Sequence, residues 1–245
     1  MSIISVVTVC FNAQACIGQT LRSMRDQGQG PWEYIVIDGA STDGTIDEIN
    51  DNQDIVNTLV VESDRGIYDA MNKGLKIAKG RYIYYLNAGD SFHSAKVLSH
   101  LVALMKDSNT SLFYGDIITS TKLIATRNII KQYFKGMPHQ ACFFRRDAIE
   151  QFDLKFKICA DFKQYLELRS EPDFQATHVA LVISYYDSIK PDKSPTERLR
   201  YDRQRIVEKV MLSYSHLKGF RRVIGIGFYS LHLAKLVLTN GIRKY

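Results

Sequence analysis

The stretch ESDRGIYDAMNKGLKIAKGRYIYYLNAGD, residues 62–90, decides the fold class. Its apolar residues recur with the period of a helix over Ile67–Lys79, and Gly80 follows at the position of a helix C-cap. Arg81–Leu86 is then an apolar run of strand length, which ends in the polar turn Asn87–Asp90. A helix that leads directly into a buried strand is one part of a βαβ unit.

The residues before this stretch show the same alternation. The predicted elements are a strand at Ile3–Val9, a helix near Ala13–Gln27 capped by Asn12, a strand at Tyr34–Asp38, a helix near Thr45–Asn52 and a strand at Val56–Glu62. Strands that alternate with helices at this spacing predict right-handed βαβ units. We therefore expect an α/β fold whose mostly parallel sheet is flanked by helices.

The alternation changes after Asp90. Helices are predicted near residues 95–106 and 161–168, and shorter strands at 112–114, 117–119, 141–144 and 178–186. From Thr196 onward the pattern is helical, basic and amphipathic. We expect one domain over residues 1–190, with halves at 1–90 and 91–190, and a helical tail over residues 196–245.

Polar residues follow the four strands of the first half. Asn12, Asp38, Asp64 and Asp90 each stand at or just beyond the carboxyl end of a predicted strand. Ligands of open α/β sheets bind at the carboxyl ends of the strands. The sequence therefore predicts a ligand site at this edge of the sheet.

Charge is unevenly distributed along the 245-residue chain. Residues 198–245 contain eleven lysines and arginines against Asp202 and Glu208, so this segment carries +9, whereas the whole chain carries +6 and residues 1–197 carry −3. The basic and apolar segment Phe220–Tyr229 is typical of a helix at an anionic membrane surface. The alternative is that the tail helices pack on the core or on a second protomer.

Composition and missing motifs exclude several classes of protein. With 45% hydrophobic and 24% charged residues, and four cysteines without a CxxC pair, the chain is neither disordered nor a disulfide or zinc scaffold. It has no GxxxxGK[ST] phosphate loop, no GxGxxG after the first strand, no GxSxG elbow and no HExxH. One or two carboxylates together with substrate phosphates commonly bind Mg²⁺ or Mn²⁺, which suits a nucleotide diphosphate at the acidic edge.

Five segments resemble, in order, the motifs of the inverting family 2 glycosyltransferases with the Rossmann-like GT-A fold. They are SVVTVCFNA, EYIVIDGASTDGT, the stretch at 62–90, MPHQACFFRR and KICADFKQYLEL, and they span residues 3–170. Within the family they resemble enzymes of bacterial exopolysaccharide synthesis of the colanic acid type. The resemblance implies transfer of a sugar from a nucleotide-diphosphate sugar to a hydroxyl of a glycan acceptor, with a divalent metal, Mn²⁺ or Mg²⁺.

The resemblance also implies roles for individual residues. Asp161 matches the catalytic base, Asp90 the metal ligand, and His139 and Gln140 a segment near the acceptor and the diphosphate. The residues expected to bind the nucleotide sugar are Val9, Asn12, Asp38, Asp64, Arg65, Asn72, Lys73, Asn87 and Ala88. Alternatives stay open for some of them: Asp90 and Asp161 as helix N-caps, Asp38 as a turn aspartate before Gly39, His139 as a structural histidine, and Lys73 on a solvated helix face.

The chain departs from the family pattern at two places. Asn87 replaces the first aspartate of the metal-binding DxD motif and Gly89 stands where the second often lies, which leaves Asp90 as the carboxylate ligand. A glycine-containing segment that often follows the base is replaced by Tyr185–Lys190, YYDSIK. This second difference concerns the acceptor side.

Two other function classes compete with a sugar transferase. A nucleotidyltransferase on a similar sheet usually carries a glycine-rich basic loop after its first strand, where this chain has Cys10–Ala13. A non-catalytic binder of anionic surfaces, acting through the tail, would leave the acidic strand ends unexplained. The tail also lacks the aromatic interleaving of a nucleic-acid platform, so we expect no nucleic-acid partner.

The expected location follows from the apolar segments. The first residues lack the basic region and cleavage site of a signal peptide, and no run of 18 apolar residues is present. We expect a cytoplasmic enzyme, peripheral on the inner face of the plasma membrane, that extends a glycan or polyprenyl-linked acceptor. The tail is also a candidate surface for forming a homo-oligomer.

Overall fold

Nine strands form one sheet in the part of the chain that the computed structural model describes, residues 2–119, 123–124, 126, 138–186 and 195–216. The strands are β1 (Ile4–Cys10), β2 (Trp32–Asp38), β3 (Thr58–Val61), β4 (Tyr82–Tyr85), β5 (Ser91–Phe92), β6 (Leu112–Thr119), β7 (Leu123–Ile124), β8 (Cys142–Arg145) and β9 (Ala176–Tyr186). The helices are α1 (Gln14–Arg25), α2 (Thr45–Asn50), α3 (Ile67–Ile77), α4 (Val97–Met105), α5 (Ala160–Ser170) and α6 (Pro195–His216). The strand order is β3-β2-β1-β4-β8-β6-β9-β5, and β7 pairs with β6.

β1 lies in the parallel half of the sheet and is buried along its whole length. Its side chains alternate between two cores: Val7 packs in the cluster that contains Met71 of α3, and Val6 packs in the cluster that contains Leu21 of α1. β1 pairs in parallel with β2 on one side and with β4 on the other. The carboxyl ends of these three strands therefore meet at one edge.

The second half of the sheet combines both strand directions. β8 runs antiparallel to β4 and to β6, whereas β6 and β9 are parallel. The parallel arrangement expected from the sequence thus holds for β1–β4 and for the β6–β9 pair, and β8 joins the two. The strands predicted at 112–114 and 117–119 are one strand, β6, whose pairing with β9 is irregular near Gly115. A Cβ at Gly115 would lie 2.6 Å from the Leu181 carbonyl oxygen.

Two residues expected to cap helices have other contacts. Ala13 stands at the N-cap of α1, while Asn12 has a left-handed φ of 47° and its side-chain oxygen accepts the Thr42 N–H. Helix α3 ends before Gly80 is reached, so this glycine is not its C-cap. Gly80 lies against β1, where a Cβ would be 2.5 Å from the Ser5 nitrogen, and its N–H donates to Ser5 Oγ.

Helix α6 packs against α5, and its Leu212 side chain is completely buried. The sequence pattern predicts a helix from Thr196, and the structure describes it as far as His216. The segment Phe220–Tyr229 and residues 187–190 lie outside the described residues. Among the residues that are described, no helix combines the length and the apolar character needed to cross a membrane.

Two glycines in the middle of helices lead to opposite predictions for the same substitution. At Gly18 an added methyl group meets only the movable ends of Arg22 and Glu48, so Gly18→Ala should raise the free energy of unfolding by about 0.5–1 kcal/mol. At Gly74 the methyl group would lie 2.4 Å from Cγ1 of Val7 in the buried strand β1. Gly74→Ala should therefore lower the free energy of unfolding by about 1–3 kcal/mol. Urea denaturation measures both. A stabilised Gly74→Ala would contradict the close packing of α3 on β1.

Candidate active site

A cleft of about 700 Å³ opens at the edge where β1 and β4 end. Its volume is typical of small-molecule binding sites. Nine residues predicted from the sequence line it: Val9, Asn12, Asp64, Asn87, Ala88, Asp90, His139, Gln140 and Asp161. The fold thus brings residues from both halves of the chain to one site.

One part of the cleft is formed by the residues that follow β1 and β3. The Phe11 side chain is 61% exposed, although phenylalanine is among the residue types most often buried. Gly39 leaves room beside it, because a Cβ there would lie 2.6 Å from the Asp64 carboxylate and 3.2 Å from the Phe11 ring. An exposed ring next to a carboxylate acceptor suits a planar ligand group that carries N–H donors.

The turn Asn87–Asp90 forms the part of the cleft that follows β4. Gly89 has a φ of 93°, and Thr20 of α1 fixes the turn because its hydroxyl accepts the Gly89 N–H and donates to the Asp90 carbonyl. Asp90 is only 4% exposed and yet lines the cleft. The amide oxygen of Asn87 is buried and has no hydrogen-bond partner among the described residues. The turn thus contains two side chains with oxygen acceptors, the Asn87 amide and the Asp90 carboxylate.

Asp161 lies at the start of α5, and a chain of hydrogen bonds connects it to that turn. Nδ1 of His139 is 3.3 Å from Asp161 Oδ2, and Nε2 of His139 is 2.9 Å from Nδ2 of Asn87. Because the amide nitrogen of Asn87 can only donate, Nε2 accepts and Nδ1 carries the proton that is donated to Asp161. The backbone N–H of Phe162 donates to Asp161 Oδ1 at 2.8 Å.

The Tyr68 hydroxyl has two neighbouring acceptors and a single proton. It lies 2.7 Å from the Ile158 carbonyl oxygen and 3.0 Å from Asp161 Oδ1. Burial first, and then the charge of Asp161, raise the pKa of Tyr68 well above its usual value, so the hydroxyl stays protonated. An ionised Asp161 can accept a hydrogen bond from the Tyr68 hydroxyl, whereas a protonated Asp161 can donate a hydrogen bond to Tyr68 while Tyr68 donates to the Ile158 carbonyl oxygen. Tyr68 can therefore form a hydrogen bond with Asp161 in both protonation states of the carboxyl.

The pKa of the Asp161 carboxyl lies below its usual value. Burial is the largest influence and raises this pKa, but the hydrogen bond and the electrostatic effect of His139, together with hydrogen bonds from the Phe162 N–H and Tyr68, outweigh burial. Asp161 is therefore ionised at neutral pH. An ionised carboxylate at the wall of a cleft can accept a proton from a hydroxyl that binds beside it.

Asp38, predicted to contact the nucleotide, lies behind the cleft. It is completely buried, and its carboxylate accepts hydrogen bonds from the backbone N–H and the hydroxyl of Ser41 at 2.7 and 2.6 Å and from the Cys10 thiol at 3.3 Å. Ser41 in turn accepts the Asn12 N–H. The carboxylate thus organises the turn after β2, and its link to the cleft runs through Ser41 and Asn12.

Three further residues predicted to bind the nucleotide do not line the cleft. The Asn72 amide donates to the Phe152 carbonyl and accepts the Phe152 N–H, so both of its ends are engaged. Lys73 forms an ion pair with Glu62 at 2.9 Å, and Arg65 pairs with a carboxylate one turn along α3. The cleft contacts α3 only as far as Ala70, and the side chains of Asn72 and Lys73 are engaged elsewhere. Their position does not support the expected contact.

Sequence reasoning missed three aromatic residues of the cleft, Phe11, Tyr68 and Tyr201. Phe11 could have been found, because it follows a strand whose end was already assigned to the site. Tyr68 stands within the quoted stretch, but an aromatic residue next to a helical apolar stripe is usually interpreted as core. Tyr201 belongs to α6, where no motif indicates a role at the cleft.

The family model for Glycosyl transferase family 2 matches residues 5–162, which include β1, α3, the turn after β4, His139 and Asp161. The chain belongs to this family. It is therefore a glycosyltransferase, and the nucleotidyltransferase and the non-catalytic binder considered from the sequence are set aside.

Two relatives indicate where related activities occur. A PGL/p-HBAD biosynthesis glycosyltransferase from Mycobacterium tuberculosis (strain ATCC 25177 / H37Ra) is 29% identical over 194 residues, which cover 75% of this chain and 76% of the relative. A Bacillus subtilis (strain 168) glycosyltransferase, TuaG, named for teichuronic acid biosynthesis, is 34% identical over 116 residues, 46% of each protein. Neither name refers to exopolysaccharide of the colanic acid type, so that part of the resemblance is not confirmed.

A solved structure confirms the fold. The mannosyltransferase PcManGT from Pyrobaculum calidifontis, in complex with GDP-Man and Mn²⁺, matches with a TM-score of 0.69 at 17% identity and covers 94% of this chain and 69% of that chain. At this identity the likeness concerns the fold alone. The glycosyltransferase therefore has the α/β GT-A fold expected from its motifs.

Replacement of His139 should raise the pKa of Asp161. His139→Ala removes the strongest of the hydrogen bonds that oppose burial, so the Asp161 carboxyl should titrate at a higher pH than in the parent protein. NMR titration of ¹³C-labelled aspartate carboxyl groups, with Asp161 assigned through Asp161→Asn, measures the change. The matched control is His100→Ala, which removes an exposed histidine of α4. An Asp161 titration unchanged in His139→Ala would contradict the hydrogen bond.

Proposed function

We propose that this glycosyltransferase transfers a sugar from a nucleotide-diphosphate sugar to a hydroxyl of a cell-surface glycan or glycolipid acceptor, with inversion at the anomeric carbon. The observation that carries the proposal is the presence of two carboxylates with different environments in one cleft. Asp90 stands in the same turn after β4 as the amide oxygen of Asn87, and Asp161 is held ionised by its hydrogen-bond donors. Asp90 suits a metal that binds the departing diphosphate, and Asp161 suits the removal of the proton from the attacking hydroxyl.

The nucleotide base fits the part of the cleft around Phe11. Stacking of a base on an aromatic ring contributes about 1–3 kcal/mol and tolerates different bases. The Asp64 carboxylate can accept a ring N–H, which uracil and guanine both carry. The backbone around Asn12, fixed through Ser41 and Asp38, forms the adjoining surface.

A divalent metal, Mn²⁺ or Mg²⁺, fits the residues at the turn after β4. The Asp90 carboxylate and the Asn87 amide oxygen are hard oxygen donors, and the amide oxygen has no other partner among the described residues. Such metals usually bind through one or two protein oxygen atoms together with substrate phosphates. When bound, the metal would supply charge neutralisation for the diphosphate.

The transfer is a single displacement in which Asp161 acts as general base. The acceptor hydroxyl loses its proton to Asp161 as its oxygen attacks the anomeric carbon, and the bond from that carbon to the diphosphate oxygen breaks on the opposite face. Once Asp161 is protonated, it can donate a hydrogen bond to the Tyr68 hydroxyl, and Tyr68 then donates its own to the Ile158 carbonyl oxygen. His139 keeps the carboxylate oriented toward the cleft.

The acceptor fits the part of the cleft next to Asp161. Lys157, Tyr186 and Tyr201 contribute to its lining. Aromatic rings offer flat apolar surface for the C–H faces of sugar rings, and the ammonium group suits a hydroxyl or an anionic substituent. The relatives named for PGL/p-HBAD and teichuronic acid biosynthesis support an acceptor of the cell surface, such as a polyprenyl-linked glycan, with membrane contact through residues 217–245.

Nucleotide binding should depend on the metal and on Asp90. In a thermal-shift panel of UDP, GDP, CDP and dTDP, each with Mn²⁺, Mg²⁺ or EDTA, we expect at least one nucleotide to stabilise the protein. At about 100-fold its dissociation constant, a ligand adds about 2.7 kcal/mol. Asp90→Asn should lose the part of this stabilisation that EDTA removes.

The matched control for this panel is Asp107→Asn, since Asp107 is 87% exposed and lies outside the cleft. It should retain the full response to nucleotide and metal. The proposed donor site would be wrong if no nucleotide stabilised the parent protein. If Asp90→Asn retained the metal-dependent part of the stabilisation by nucleotide, this would contradict the assignment of Asp90 as a metal ligand.

Asp161→Asn should slow transfer strongly, to a residual rate that can still be measured, while it leaves donor binding intact. The amide cannot accept the hydroxyl proton, and general-base catalysis typically contributes about 10²–10⁴-fold to the rate. Release of UDP or GDP from UDP-glucose, UDP-N-acetylglucosamine or GDP-mannose, with octyl β-glucoside as acceptor, measures transfer. The thermal shift by nucleotide serves as the internal control. Transfer at the parental rate in Asp161→Asn would assign the base to another residue.

A further inference from the structure

Glu208 of helix α6 holds the loop that leads to Asp161. Its carboxylate accepts three consecutive backbone N–H groups, those of Lys157, Ile158 and Cys159, at 3.0, 3.0 and 2.9 Å. Gln204, one turn earlier in α6, donates to the same carboxylate at 3.0 Å. Glu208 is only 6% exposed, and charge-assisted hydrogen bonds in such surroundings are strong.

The three N–H groups belong to the residues immediately before α5. Cys159 is the N-cap of this helix and makes no side-chain capping bond of its own. Helix N-termini leave backbone N–H groups unsatisfied, and a carboxylate there is favourable. Glu208 thus supplies from another helix the acceptor that the loop before α5 lacks. Asp161, the second residue of α5, takes its position from the loop that Glu208 holds.

The Ile158 residue links this contact to the hydrogen bonds of the cleft. Its N–H donates to Glu208, and its carbonyl oxygen accepts the hydroxyl of Tyr68, which also contacts Asp161. A displacement of the 157–159 loop would therefore move both the start of α5 and the partner of Tyr68. Cys159 adds a second connection, since its thiol donates to the Arg205 carbonyl of α6 at 3.7 Å.

We propose that Glu208 is a positioning residue for the catalytic base Asp161. This inference rests on the proposed function, because it assumes that Asp161 accepts the acceptor proton. Glu208 does not line the cleft. It acts through the 157–159 loop, so its loss should slow the chemical step and leave donor binding unchanged.

Glu208→Gln tests the inference, because the side-chain nitrogen would face at least one of the three N–H groups in place of an acceptor. We expect kcat to fall about 100-fold, the loss that a misplacement of about 1 Å can cause. The KM for UDP-glucose or GDP-mannose and the thermal shift by UDP or GDP should stay within about twofold of the parent values. In an Asp161→Asn background, Glu208→Gln should cause no further loss of rate, because the two residues act on one step.

Leu212→Ala is the matched control on the same helix. Leu212 is fully buried and makes no contact with the three N–H groups, so its truncation should lower the free energy of unfolding by about 2–5 kcal/mol and leave kcat unchanged below the unfolding transition. If Glu208→Gln does not fold, Glu208→Asp takes its place. It retains the charge but withdraws the carboxylate by one methylene, and its kcat should fall with donor binding retained.

Each other outcome overturns the inference. Parental kcat in a folded Glu208→Gln or Glu208→Asp would show that the contact does not position the base. Loss of nucleotide binding, or an equal further loss in the Asp161→Asn background, would assign Glu208 a general structural role. Failure of the proposed function is distinguishable, since the parent protein itself would then release no nucleotide from any donor sugar.

Discussion

The parallel register of β1 with β2 and β4 is the constraint on which the site depends. Cys10 pairs with Asp38 and Val7 with Tyr85, so the polar residues that follow each strand emerge at one edge. A slip by one residue would exchange the two faces of β1, and both of these faces are buried against helices. Apolar packing that takes no part in catalysis therefore determines where the turn after β4 lies relative to the residues after β1.

The hydrogen bond between Asn87 and His139 joins the two halves of the chain at the cleft. This bond and the bond from His139 to Asp161 connect the turn expected to hold the diphosphate with the residue expected to act as base. Asp161 keeps its charge through His139 and its other hydrogen-bond donors, so its pKa stays low and almost every molecule is competent to accept a proton at neutral pH. A low pKa also makes a weaker base. The second hydrogen-bonding arrangement of Tyr68 offsets this, because it stabilises the protonated carboxyl once the proton has been transferred.

The sequence allowed the prediction of the edge on which the site lies and of its main carboxylates, because the ends of parallel strands coincide in space. It did not allow prediction of where each side chain points. Asp38 stands at the predicted edge and yet turns inward to Ser41, and the Asn72 amide bonds to the backbone of Phe152. Glu208 could not be recognised at all. Its partners are backbone N–H groups, which carry no sequence signature, and they lie 49–51 residues away.

Helix α6 shows why an amphipathic basic pattern cannot by itself distinguish a membrane surface from a protein core. Of the two acidic residues in residues 198–245, Asp202 pairs with Arg205 at 2.8 Å, and Glu208 is buried against the loop before α5. A lipid-facing helix has no N–H groups opposite it to compensate a carboxylate on its buried side, and an uncompensated charge there is costly. A glutamate beside the apolar residues of a helix is therefore the feature that favours packing on protein for the described part of the tail. Any lipid contact would then fall to the residues beyond His216, whose charge is wholly positive, with five arginines and lysines after Gly219 and no acidic residue.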